Sequence, residues 1–125
     1  NLDNVITASG TGTPSTSTTG IAGNLSAVGH VLAKGSVPAL TSCGTSPSIS
    51  GDDKAGLITM GTGSPTGCVL TFATAYAAAP YCVVTWQATP LASQSYAIAA
   101  STITLTQTAT SSNKVNYHCF AQAGG

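Results

Sequence analysis

The sequence predicts an all-β chain: a six-stranded antiparallel β-sandwich with an extended N-terminal arm. Three observations carry this. Two alternating apolar runs, Cys68–Ala73 and Cys82–Trp86, each open on a cysteine and flank a connector ending in Ala79-Pro80. Turn residues recur at short intervals from Ser48 onward. The first 42 residues hold too little apolar sequence to build a core of their own.

Residues 8–20 are a Gly/Ser/Thr-rich linker with nothing to bury. In the following segment Ile21, Leu25, Val28 and Leu32 fall near helical spacing. Gly23 and Gly29 each cost a helix about 1 kcal/mol relative to Ala, so an extended or partner-stabilised arm is equally expected. Residues 1–42 are therefore read as an arm that needs a neighbour, and residues 43–125 as the sandwich. The chain opens on Asn1 rather than Met and is expected to be a fragment or a processed product.

Six strands are expected, over Leu57–Met60, Cys68–Ala73, Tyr81–Trp86, Tyr96–Ala99, Thr102–Gln107 and Val115–Phe120. Side chains on a strand alternate between faces. That places Cys68, Leu70 and Phe72 on one face, and Cys82, Val84 and Trp86 on one face of the next run. Ile103 and Leu105 point inward with threonines outward. In the last strand Val115, Tyr117 and Cys119 share the core face, which leaves Asn116, His118 and Phe120 outside. A phenylalanine there would cap the sandwich edge or meet a second subunit.

Cys43, Cys68, Cys82 and Cys119 are all disulfide candidates, with three pairings open and buried free thiols as the alternative. Cys43 with Cys119 would tie the first and last segments of the domain, and Cys68 with Cys82 would link the two apolar runs. Spacing chooses neither. No Cys-x-x-Cys occurs, and His118 and Cys119 diverge on a strand, so no metal site is expected. An even cysteine count in a small, charge-poor domain points to an oxidising, extracellular setting.

Charged residues make up 5% of the chain, Glu and Arg are absent, and the net charge is zero. Ordinary soluble domains carry about 25%. Such a chain stays soluble through hydroxyls or covers its surface with partners. Without a basic cluster it lacks the phosphate-neutralising charge that nucleic-acid binding needs. No window approaches the ~18 apolar residues of a membrane span, so membrane insertion is not expected either.

Catalytic groups are sparse. Asp52 and Asp53 are adjacent and diverge on an extended segment, and no Glu completes an acid–base pair. Gly51–Gly56 reads as a charged turn. Gly61-Thr-Gly-Ser-Pro-Thr-Gly lacks dinucleotide or P-loop spacing, and no Gly-x-Ser-x-Gly elbow is present. An enzyme and an organic cofactor are not expected. Binding is the better prospect, and the candidate ligand-binding residues are Tyr76 and Tyr96 near strand ends, with Gln87, Gln94 and His118 as polar neighbours.

From about Gly29 onward the chain resembles the C-terminal domains of bacteriophage and prophage tail-fibre, spike and head-fibre-like proteins. The matching residues are Ser42–Gly51, Gly61–Cys68, Phe72–Tyr76, Ala79–Val84 and Asn116–Cys119. The Phe72-x-x-x-Tyr76-x-x-x-Pro80 spacing also looks like H-type lectin domains, although the charged residues that several such lectins place around sugar are missing. The resemblance implies a homotrimeric virion structural protein exposed outside the cell, with its arm held by other virion proteins. It implies either a knob that recognises host-surface glycan or a head or tail decoration protein that stabilises the particle. A bacterial surface or pilus adhesin module is the third reading.

Overall fold

A computed structural model describes residues 28–30, 35–87 and 93–122. The chain divides into two compact units, Asn1–Val31 and Leu32–Gly125. Only residues 28–30 of the first are described.

All the described secondary structure lies in the second unit and is β. The strands are β1 (Ala39–Thr41), β2 (Ser48–Gly51), β3 (Ala55–Thr59), β4 (Gly67–Thr71), β5 (Tyr81–Trp86), β6 (Ser95–Ile98), β7 (Thr102–Thr106) and β8 (Lys114–Phe120). They form two four-stranded antiparallel sheets, ordered β1-β4-β7-β6 and β2-β3-β8-β5. Eight strands thus stand where six are expected. β1 and β2 are three and four residues long, too short to display an alternation, and each gains its backbone partners from a neighbour. β1 also places the start of the first sheet at Ala39, inside the stretch assigned to the arm.

The core is the set of inward positions that alternation predicts. Leu70, Ile103 and Leu105 of the first sheet meet Ile58, Val84, Val115 and Tyr117 of the second, with Met60 and Phe72 closing the gaps. Each fully buried aliphatic side chain contributes roughly 1.5–3 kcal/mol. Along β8 burial alternates without exception, Val115, Tyr117 and Cys119 inside and the intervening residues outside.

Two of the four sheet edges are made locally. β2 pairs with β3 and β6 with β7 as hairpins. The β2–β3 turn is closed by Asp52, whose carboxylate accepts from the Lys54 and Ala55 amides at 2.8 and 3.2 Å, an Asx turn. Gly51 sits there at φ 121°, and a Cβ would fall 2.2 Å from the Ala55 carbonyl oxygen.

The other two edges, β1 and β5, pair with partners distant in sequence, and each is bonded to its partner by a disulfide. Cys43, just beyond β1, joins Cys68 of β4, with Cα atoms 4.2 Å apart. Cys82 of β5 joins Cys119 of β8, directly opposite in register, at 4.1 Å. Cys68 with Cys82 and Cys43 with Cys119, the two links considered above, therefore do not form. The 72–80 connector carries the chain from one sheet to the other, so the two apolar runs that adjoin in sequence lie in different layers.

Among the described residues five that are not glycine adopt positive φ, and all are serines: Ser42, Ser46, Ser64, Ser93 and Ser112, between 53° and 68°. A side chain in this region costs roughly 1–2 kcal/mol.

Two outcomes are expected. The bridges close separations of 25 and 37 residues, for which lost chain entropy corresponds to about 3.5 and about 4 kcal/mol. Calorimetry with and without reductant should show a fall in Tm of more than about 10 °C, and amide exchange should accelerate first in β1 and β5. Ser46 is exposed at φ 54°, so Ser46→Gly should stabilise the domain by about 0.5 kcal/mol once glycine's larger unfolded-state entropy is subtracted. Denaturant melts read this, and a destabilised variant would contradict it.

Candidate ligand-binding recess

The sandwich has two chemically different ends. At one, the β2–β3 turn reaches the connector that follows β4. The Asp53 carboxylate accepts from the Ala73 and Thr74 amides at 2.7 and 2.8 Å, and the Tyr76 hydroxyl donates to the Asp53 carbonyl at 3.0 Å. From β8 the buried Tyr117 hydroxyl donates to the Asp52 carbonyl. Tyr117 crosses over Gly56, its register partner, where a Cβ would stand 2.6 Å from the hydroxyl. Both aspartates are thereby committed to closing this end.

The opposite end is held by amides. Buried Gln107, following β7, accepts at Oε1 from Asn113 Nδ2 at 2.8 Å and from the Trp86 indole at 3.3 Å. Its Nε2 donates to the Pro65 and Thr110 carbonyls. Asn113 in turn accepts from the Lys114 amide at 2.9 Å. Three further bonds fix the β7–β8 loop to the 61–65 loop: Thr110 N to Pro65 O, Ser112 N to Gly61 O, and Ser64 N to the Ser111 hydroxyl. Saturated, low-dielectric networks of this kind rigidify what they hold.

On this floor lies a shallow recess of about 290 Å³ lined by Gln87, Thr110, Ser111, Ser112, Asn113 and Lys114. Its free hydrogen-bonding capacity is uneven. Ser111 Oγ accepts from Ser64, which leaves its proton to donate. Lys114 offers three donors, and among the described residues the ion pair is elsewhere, Lys54 with Asp52 at 3.9 Å. Thr110 spends its proton on the Thr108 carbonyl, and Gln87 spends an amide proton on Asn116 Oδ1 at 3.2 Å. The recess presents a surplus of donors around one ammonium, suited to an oxygen-rich ligand that carries negative charge.

The five candidate ligand residues do not converge. Gln87 lines the recess. Gln94 and Tyr96 stand at the same end, Ser95 and Tyr96 being in register with Thr106 and Leu105. The Tyr96 ring lies 6.3 Å from Trp86 and is 44% exposed, and Gln94 Nε2 is buried without a partner among the described residues. Tyr76 is at the far end, half-buried edge-to-face on Phe72 at 5.0 Å with its hydroxyl engaged. His118 is on the outer face of the second sheet, 6.1 Å from the Phe120 ring. The recess residues missed in the sequence are Thr110–Lys114, legible there only as a turn.

No family model matches the chain, and neither a curated protein nor a solved structure matches it.

Burial, with added repulsion from the two aspartates, raises the hydroxyl pKa of Tyr76 and Tyr117 above the ordinary tyrosine value of 10. The folded state therefore keeps protons that the unfolded chain releases. This contribution is complete below pH ~10 and is lost as pH rises from there toward the folded-state values. Relative to wild type, Tyr117→Phe should show a shallower loss of stability above pH ~10 in urea melts, with Tyr76→Phe a weaker version. Parallel pH profiles would refute the assignment.

Proposed function

We propose that the chain is the knob of a trimeric virion fibre or spike and recognises a surface glycan, without catalysis, through the recess beside Gln87. The observation that carries this reading is the recess itself: hydroxyls, amides and one ammonium with no ion pair among the described residues, beside a loop held by a buried amide network. Sugars are bound by such arrays because each hydroxyl needs directed partners, and Tyr96 nearby supplies a half-exposed ring for a sugar face. The fibre motifs quoted above and a charge-poor surface stapled by two disulfides fit a setting outside the cell. Both described aspartates serve as turn and connector acceptors, away from the recess, which favours binding over hydrolysis. In this reading the residues before β1 join the knob to a shaft or particle.

A second reading, a head or tail decoration protein that stabilises the particle, is favoured by a different observation. Tyr81, Val83 and Phe120 expose a contiguous apolar surface on the second sheet, away from the recess and suited to packing within an assembly on the particle.

Glycan-array and host-cell binding by the purified chain tests the first reading. Binding is expected to be strongest for sugars that carry a carboxylate, and to fall at least tenfold in Gln87→Ala and Lys114→Ala with the fold intact. Absence of binding to every glycan and host surface would overturn it. Particles that lack the protein, adsorb normally and break under osmotic stress would establish the second.

A further inference from the structure

The outer face of the second sheet is unusual for a surface in water. Phe120 is 71% exposed, Tyr81 68% and Val83 51%. Tyr81 is in register with Phe120, and Val83 with His118, so the three form one patch across β5 and β8. At these exposures the two rings and the valine present roughly 350 Å² of mostly apolar surface, the size at which a patch on a monomer is often functional.

The patch runs to an open edge. Among the described residues β8 is the one strand paired with β5, so the outer backbone groups of β5 lie unpaired by any described strand. Natural edge strands are protected by short length, lysine, internal proline or a bulge. β5 is the longest edge strand of the domain, and Tyr81–Trp86 contains no charge and no proline. Its pairing with β8 is continuous over six positions, without a bulge. The strand does not fray, because Cys82–Cys119 bonds it to β8. The result is a rigid, uncharged, unprotected edge beside an aromatic surface.

We propose that this β5–β8 face is the contact by which copies of the chain associate. The inference rests on the assembly part of the reading above and names its surface. The occupant is a second copy because the face has no charge to offer an acidic, basic or membrane-surface partner except Lys114 at its far end. An apolar patch is matched by another apolar patch, which each copy of this chain carries, and zero net charge means no long-range repulsion between copies. Three such faces turned toward a common three-fold axis, with Thr85, Asn116 and His118 as a polar rim, reach about 1,000 Å² of buried surface, the lower bound for a specific interface.

The test is native mass and sedimentation of the full chain at micromolar concentration, for wild type, Val83→Lys and Phe120→Ser. The substituted side chains already face solvent, so folding is expected to be unchanged, and intact disulfides together with Trp86 fluorescence check it. Wild type should be multimeric and both variants should shift to monomer, with faster amide exchange in β5 than in the wild-type assembly. Variants that fold and remain multimeric overturn this surface while leaving glycan recognition and assembly standing. A wild type that is monomeric throughout overturns both this surface and the trimeric part of the proposed function.

Discussion

The constraint on which the sandwich depends is the closure of its long-range strand pairings, above all the two that hold the edge strands β1 and β5. β2–β3 and β6–β7 form from neighbouring sequence, and their loop-closure cost is small. β1–β4 and β5–β8 must bring together segments tens of residues apart, and those two pairings carry the two disulfides. A three-residue strand such as β1 has too few backbone bonds to hold itself on a sheet edge. With Cys43 fixed to Cys68 it becomes a permanent part of one. The covalent bonds hold the two edge strands whose partners are distant in sequence, one of them the shortest strand of the domain and the other the longest edge, which is how a domain with a modest core uses cysteine.

Polar chemistry is divided between the ends of the sandwich according to what each end must do. The charged end spends its carboxylates on backbone amides and receives two tyrosine hydroxyls, so every strong acceptor there is occupied. The amide end uses neutral groups for the same structural task, with Gln107 joining Asn113, Trp86 and two loop carbonyls. Neutral scaffolding leaves Lys114 as the sole charge among the described residues that line the recess. An aspartate in the place of Asn113 would have neutralised that ammonium and removed the feature that distinguishes this surface from an ordinary loop.

Much of the sandwich was legible because period-two alternation survives in the long strands. β8 and β7 show it directly, and Cys82, Val84 and Trp86 face the core as their spacing requires. What was not legible is what depends on layers. Whether Cys68 lies beside Cys43 or Cys82 is decided by the crossing of the 72–80 connector, a property of topology that neither run encodes locally. The recess illustrates the same limit. Thr110-Ser-Ser-Asn-Lys reads as a polar turn, and its distinction arises from Gln107, whose inward position follows from Ile103 and Leu105 but whose partners Asn113, Trp86 and Pro65 are set by how the loops and sheets meet. Tyr76 shows the converse: an aromatic near a strand end suggests a surface ring, yet the hairpin turn of the other sheet folds over to engage its hydroxyl.

The exposed face and the stapled edge are two consequences of one arrangement. An uncharged edge strand on a reducible or mobile segment would be an aggregation hazard, since fraying would let it pair in many registers. Cys82 and Cys119 are opposite one another in the ladder, which fixes the register of β5 and holds its side chains in a single alternation. The same bond that keeps Val84 and Trp86 on the core therefore also keeps Tyr81 and Val83 outside, in line with Phe120. A chain that lacks charge to resist nonspecific association gains specificity instead from rigidity, because a fixed surface can match one partner geometry and reject the rest. Five serines in positive-φ turns fit the same pattern: the loops retain hydroxyls at positions where glycine would relax the backbone, and the turns stay polar without charge.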